Sequence, residues 1–582
     1  MKGSVVLLVA GAALGGLATW TLATATAVTN FESAYRHLQS DLLPAINLST
    51  PPSVAMVNVG AAARQAPAAG LLPSVDSFPV YGEASPPGDQ AATLTLEIVS
   101  SAEKADGLQP DRRWLVDVAE RFNQRRERNR AGQRLQVRIR TITSGLAAQL
   151  LLAGKLKPAG YTPMSEQLLD LLADQGLPTS VISPSLVSNG SVIAVRQPAY
   201  QRLRQLGAAD FGAVVNQTLA GQLRLGYANP YISSVGLDFL HTLLWTSAGH
   251  HRDGRPLAMD ELSRPQVKAS FEFFQHQMAA SSSSYLELID LWKQRPESLD
   301  ALIMDRRSYW SLRREANFAD LMAIPFGGQQ SSPLAAFSWT TAAERDALQR
   351  FAAFARSASM QDLARRHGFG SGDATAATAR PPRASGAVLA MAQRQWKQRK
   401  DGRRTVYMQL VIDTSGSMAK NERLSKLKQA VIAASQTINF GHYVGLVTFN
   451  DAVVRQLPLQ PFDGNGKQRL LAAVQQLQPD GGTALYDGLA VGLADLMKEQ
   501  RRDPKGRYYL VLLTDGQPNR GLNFSQLRAI IQQSGVRIIP IAYGEVNAGE
   551  LGEIAAIRES PIYTGKPELI VSLMTDLFQT SL

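Results

Sequence analysis

The chain has no cysteine among its 582 residues. Disulfides, thiolate metal sites and thiol nucleophiles are therefore excluded. It also lacks G-x-x-x-x-G-K-[ST], G-x-S-x-G and H-E-x-x-H, so P-loop nucleotide hydrolysis, nucleophile-elbow hydrolysis and zinc proteolysis have no support. Histidine is scarce, seven in all, and the adjacent pair His250-His251 near Asp253 is expected at the surface. Charged residues make up 19% and hydrophobic residues 45%, the balance of folded globular material. The charge has a sign: a net +11 at pH 7 and a pI of about 9.7. Basic runs such as Arg121 to Arg130 carry no interleaved aromatics, so nucleic-acid binding is not expected. A basic surface facing anionic envelope polymers or lipid heads is the alternative to a merely solvated one.

The length implies two or three domains. Between Ser4 and Phe31 no residue is charged, and the apolar run Val5–Leu22 has the reach of a spanning helix. Residues 1–31 are expected to be a transmembrane anchor or a signal peptide, with small-residue cleavage sites at Ala23-Thr24-Ala25 and Ala25-Thr26-Ala27. Either places the bulk of the chain outside the cytoplasm, as a single-pass membrane protein or, if cleaved, a secreted one. Residues 32–91, rich in Ala, Pro, Ser and Gly, read as a linker or stalk. Order is expected from the strand pattern Leu94–Val99, through a helix from Arg112 to Arg126 with Trp114, Val118 and Phe122 on one face, to a strand at Leu135–Ile139. That β-α-β alternation implies a largely parallel sheet and an α/β class. Phe351–Phe369 reads as one amphipathic helix. Residues 371–387 read as a second linker, followed from 388 by a basic helix leading into a last domain.

The densest chemistry lies in that last third. The run Met408-Gln409-Leu410-Val411-Ile412 ends in Asp413-Thr414-Ser415-Gly416-Ser417-Met418. Further on come Gly481-Gly482-Thr483-Ala484-Leu485-Tyr486-Asp487, and Thr514-Asp515-Gly516 closing the run Tyr508–Leu513. Hydroxyls and carboxylates are ligands for Mg²⁺, Ca²⁺ or Mn²⁺ and not for zinc or copper. A lone D-x-S-x-S is equally a helix cap; Thr483 and Asp515 at matching strand ends favour the metal. No general base stands beside these residues, so the chain is expected not to be an enzyme. Because the residues lie in loops, Asp413→Ala and Thr483→Ala are expected to spare the fold.

These motifs resemble the von Willebrand factor type A (VWA) domain over about 388–582, together with Gly445–Asn450 and the strand Val536–Gly544. The resemblance implies a Rossmann-like doubly wound sheet. It also implies a metal-ion-dependent adhesion site of Asp413, Ser415, Ser417, Thr483 and Asp515, Mg²⁺ being the expected ion, whose remaining position takes an acidic side chain of a partner protein.

Residues 92–370 carry Val99–Lys104, Thr143-Ser144-Gly145, Ser183–Ser188 before Ser191–Val195, and Leu225–Leu237. In order and spacing they resemble the bacterial extracellular solute-binding proteins. That implies a two-lobed, periplasmic-binding-protein-like (type 2) fold with a cleft for a small solute or oxyanion. Ser100, Ser101, Ser144, Asn229, Ser233 and Ser234 would face the ligand. The expected function is a membrane-tethered extracytoplasmic binding protein with both domains. The alternative is the substrate receptor of an ABC-type transport system.

Overall fold

The computed structural model describes residues 28–49, 75–82, 92–282, 285–294, 296–370, 379–399, 405–435, 438, 441–515, 517–543, 551, 554 and 563–565. The apolar leader lies outside them. Among the described residues no helix is long and apolar enough to cross a membrane.

In chain order the strands are β1 (Leu48–Ser49), β2 (Val80–Tyr81), β3 (Thr93–Ser100), β4 (Arg134–Thr141), β5 (Gly160–Thr162), β6 (Ser180–Ser183), β7 (Asn189–Val195), β8 (Leu225–Ala228) and β9 (Ala280–Ser282). They continue with β10 (Ala301–Asp305), β11 (Met322–Gln330), β12 (Leu334–Ala336), β13 (Val406–Asp413), β14 (Tyr443–Phe449), β15 (Val453–Pro461), β16 (Arg507–Thr514), β17 (Arg537–Tyr543) and β18 (Tyr563–Gly565).

They form three sheets. The first lobe of the middle domain is the sheet β2-β4-β3-β5-β12-β6, and the second is β11-β7-β10-β8-β9. The chain passes between the lobes twice, from β6 to β7 and back from β11 to β12. The expected helix over 112–126 forms at Trp114–Gln124, with Trp114, Val118 and Phe122 buried. Phe351–Phe369 is not one helix but parts of two, Ala342–Ala355 and Ala358–Arg366. Ser357 between them is extended at ψ 153°, which ends one helical run and begins the next. His250, expected at the surface, is buried. Its Nδ1 lies 2.9 Å from Asp253 and its Nε2 2.7 Å from Glu261, carboxylates that make burial of a histidine tolerable.

The last domain is the sheet β1-β15-β14-β13-β16-β17-β18. Strands β14, β13, β16, β17 and β18 run parallel and β15 is antiparallel to β14. Every residue of β13 is buried, as befits a central strand covered on both faces. Helix Leu485–Arg502 packs across β13, β14 and β16.

Two expectations about organisation need correction. Residues 30–49 are not a loose stalk. Helix Phe31–His37 starts in a capping box between Asn30 and Ser33. Ala34, Leu38, Leu42 and Ile46, spaced four apart, are buried in the core of the last domain. β1 then extends its sheet, pairing Leu48 with Val453. Tyr35 lies under the Arg501 guanidinium at 5.0 Å, and Glu32 pairs with the same arginine at 3.3 Å. Residues 75–82 are likewise part of the first lobe, through β2 and the bond from Arg140 to the Val75 carbonyl at 2.7 Å. The stalk reading failed because the Pro- and Ala-rich composition of 50–91 masked the period-four apolar stripe before it.

The second correction concerns the boundary at 388. Helix Gly386–Arg399 packs into the middle domain, not the last one. Val388, Leu389 and Trp396 sit in its core. Trp396 Nε1 donates to the Tyr227 hydroxyl at 2.6 Å and Gln393 to the Pro230 carbonyl at 2.8 Å, both in the second lobe. The Arg383 guanidinium, just before the helix, meets Asp170 on helix Gln167–Asp174, which follows β5, and Glu166 at that helix's N-cap. The connecting helix thus ties together elements of both lobes.

Candidate metal centre and solute cleft

Asp413 ends β13 and Thr514 ends β16, so Asp515 lies one residue beyond its strand. Thr483 precedes the first turn of helix Leu485–Arg502. All three sites meet at the carboxyl edge of the parallel strands, where open α/β sheets bind ligands. Backbone bonds hold the loops together: Gly416 N–H to the Gly481 carbonyl at 3.0 Å, and Asp480 N–H to the Thr414 carbonyl at 2.8 Å.

Asp413 is fully buried, which corrects the expectation that it sits free in a surface loop. Its Oδ1 accepts from Ser415 N–H at 2.8 Å and its Oδ2 from the Thr514 hydroxyl at 2.7 Å. Burial pushes this carboxyl above the usual range. The bonds from Ser415 and Thr514 pull it back, and the nearby Asp515 charge adds to the rise. Ser415 Oγ and Ser417 Oγ are 3.0 Å apart, and Ser417 Oγ donates to Asp515 Oδ1 at 2.7 Å. Four of the five expected residues are therefore linked through hydrogen bonds. Thr483, also buried, is held from the adjacent loop by Asn519, whose Oδ1 accepts from Thr483 N–H at 2.9 Å and whose N–H reaches the Thr483 carbonyl at 3.1 Å.

The donor set of two carboxylates and three hydroxyls fits a hard divalent cation. Among the described residues no group of three or more His, Cys, Asp or Glu is placed to hold a metal ion.

Sequence reasoning missed two features here. Asp451 Oδ1 accepts from Gly482 N–H at 2.7 Å and from Arg520 Nε at 2.9 Å, making an ion pair on the rim. Arg423 Nη1 donates to Asp515 Oδ2 at 2.5 Å. Nothing in the spacing of Arg423 signalled that contact, because the two residues are 92 apart in sequence.

In the middle domain all six expected ligand residues are buried. They do not behave alike. Ser233 Oγ accepts from Gly236 N–H at 3.1 Å and is a helix cap. Ser144 Oγ accepts from Met164 N–H at 3.3 Å. Asn229 Oδ1 accepts from Tyr231 N–H at 2.8 Å. By contrast Ser100 Oγ, Ser101 Oγ, Ser234 Oγ and Asn229 Nδ2 are buried with no hydrogen-bond partner. Thr143, Thr162 and Glu103, which the sequence reading passed over, add further unpartnered oxygens. The backbone donor at the start of helix Ser144–Leu152 is already used: Gly145 N–H meets the Ile232 carbonyl at 2.9 Å. A Cβ on Gly145 would lie 2.0 Å from the Tyr231 carbonyl oxygen, so the chain needs glycine there. Lys104 is fully buried, its ammonium donating to the Thr162 carbonyl at 2.8 Å, and burial lowers its pKa to about 7. Arg307, also buried, donates to the Asp111 carbonyl at 2.6 Å.

Comparison with known proteins agrees with this architecture. Residues 111–370 match the family model of the bacterial extracellular solute-binding proteins, and residues 408–568 match that of the von Willebrand factor type A domain. The chain therefore carries a solute-binding-protein domain followed by a VWA domain. Among curated proteins it is similar to calcium-activated chloride channel regulator 1 of Equus caballus, 32% identical over 182 residues, which is 31% of this chain and 18% of that protein. Among solved structures, von Willebrand factor type A from Catenulispora acidiphila is 22% identical, covering 30% of this chain and 42% of that one with a TM-score of 0.27. Iron-bound HitA from Pseudomonas aeruginosa is 15% identical, covering 53% and 99% with a TM-score of 0.36.

Proposed function

We propose that this chain is an extracytoplasmic binding protein whose VWA domain grips a partner through a divalent cation held by Asp413, Ser415, Ser417, Thr483 and Asp515. The hydrogen-bonded chain from Asp413 through Ser415 and Ser417 to Asp515 carries the reading. It gathers oxygen donors at a strand edge with more hydroxyls than carboxylates. Five donors leave one position of a six-coordinate cation open, and an acidic side chain of the partner completes its shell. The middle domain contributes a cleft for a small polar solute, supported by the unpartnered buried oxygens and amide it contains.

Tethering through the apolar leader would put the VWA domain beside the membrane. Helix Phe31–His37 follows the leader directly and docks near Arg501, in the last turn of helix Leu485–Arg502. Thr483 precedes the first turn of that 18-residue helix, roughly 27 Å away at 1.5 Å per residue. The metal face would then point away from the bilayer.

Thermal melting of the protein with Mg²⁺, Ca²⁺, Mn²⁺ or EDTA tests the metal. A cation-dependent rise that disappears in Asp413→Asn is expected. No rise with any of the three ions at millimolar concentration, with or without excess acetate, would refute it. Residues 30–49 must be kept, because Ala34, Leu38, Leu42 and Ile46 pack in the VWA core.

A further inference from the structure

We infer that Arg423 is a built-in cation of the metal centre, one that makes occupancy by a divalent ion depend on an acidic ligand arriving with it. This rests on the metal reading above.

Arg423 is the first residue of helix Arg423–Ala434. The two residues before it, Asn421 and Glu422, both adopt left-handed backbone, with φ of 51° and 58°. Side chains with a Cβ disfavour that region, and two in succession are unusual. They break the helical run immediately ahead of Arg423, whose guanidinium reaches Asp515 Oδ2 at 2.5 Å. The Asp515 side chain in this pair is fully buried and that of Arg423 is 14% exposed, so solvent screens the contact little.

The two Asp515 oxygens are divided. Oδ1 takes the Ser417 hydroxyl, on the side of the hydroxyl cluster, and Oδ2 takes Arg423. The guanidinium is therefore a permanent neighbour of a metal-facing carboxylate, on its far oxygen. Its Nε is buried and has no partner. A buried donor left over in this way points to a ligand that supplies an acceptor.

The electrostatic consequence has a definite sign. Two carboxylates balance a divalent cation, and Arg423 leaves the loaded centre with one net positive charge. Repulsion between guanidinium and metal weakens binding of the bare ion. A carboxylate from outside removes the excess charge and accepts from the guanidinium. By linkage, the acid must raise metal affinity by the factor through which metal raises affinity for the acid.

The test uses the full-length protein and Mn²⁺, with free ion followed by electron paramagnetic resonance, alone and with excess acetate. Wild type is expected to bind Mn²⁺ weakly alone and more tightly with acetate. Arg423→Gln is expected to bind Mn²⁺ alone about tenfold tighter or more, with the acetate effect largely lost, and Arg423→Lys to stay near wild type. Arg423→Met is a second neutral variant if the glutamine disturbs folding, with circular dichroism in EDTA as the check. Equal or weaker Mn²⁺ binding in the neutral variants, while Asp413→Asn abolishes it, would overturn the role of Arg423 and leave the metal site standing. No Mn²⁺ binding by wild type, with or without acetate, would overturn both.

Discussion

Replacing Asp413 by alanine and by asparagine separates what this residue does for the fold from what it does for a cation. Its carboxylate is fully buried and accepts from Ser415 N–H and the Thr514 hydroxyl. Alanine removes the acceptor of both donors, at about 1–2 kcal/mol each, so Asp413→Ala should lose ~2–4 kcal/mol in EDTA. Asparagine keeps an oxygen for Ser415 N–H and offers an amide hydrogen to the Thr514 oxygen. Burial already disfavours the Asp413 charge, so Asp413→Asn should stay within about 1 kcal/mol of wild type in EDTA. A cation at one hundred times its Kd would stabilise wild type by about 2.7 kcal/mol. At about 2–4 °C per kcal/mol, that is a rise of roughly 5–10 °C. Asp413→Asn should show none of it. Calorimetry reads both domains, and no tryptophan lies beyond Trp396. The transition absent from tryptophan fluorescence is therefore that of the VWA domain. Asp413→Ala melting with wild type in EDTA, or Asp413→Asn keeping the full metal rise, would refute this account.

Other consequences are as direct. Gln409, in the middle of β13, is fully buried with neither amide atom partnered; Gln409→Met should stabilise the VWA domain by about 1–3 kcal/mol, and an unchanged or lower melting point counts against it. Leu38→Ala should destabilise the same domain by about 2–5 kcal/mol, although it lies more than 350 residues before the VWA strands; an effect confined to the tryptophan-monitored transition would contradict the docking of residues 30–49. Asp238 in the middle domain is raised to about 7 by burial, against opposing bonds from Ser191 and Gly328. The folded state then holds a proton that the unfolded chain has released, so stability should fall as pH rises from about 4 to about 7 and level off above. Urea midpoints read by tryptophan fluorescence should show that slope in wild type and a flatter one in Asp238→Asn.

The sequence by itself determined the class of each domain and singled out the five residues proposed to hold a cation. Asp413, Ser415, Ser417 and Asp515 directly follow or end long apolar runs, and Thr483 stands in a glycine-marked loop. Such placement is local and needs no knowledge of the rest of the chain. Order and spacing of weak motifs sufficed for the two lobes. What the sequence could not determine was which core a given apolar stripe would enter. Helix Gly386–Arg399 is adjacent to the VWA domain in sequence, yet its Trp396 is buried beside Tyr227. Helix Phe31–His37 follows the leader, yet packs on the other end of the chain. An amphipathic pattern fixes a face and a period but not a partner. The same holds for polar groups. Ser233 and Ser234 are neighbours with the same chemistry, and only the packing made one a cap and left the other without a partner. Arg423 meets Asp515 because a left-handed turn and a parallel sheet bring distant residues together, and that convergence exists only in three dimensions.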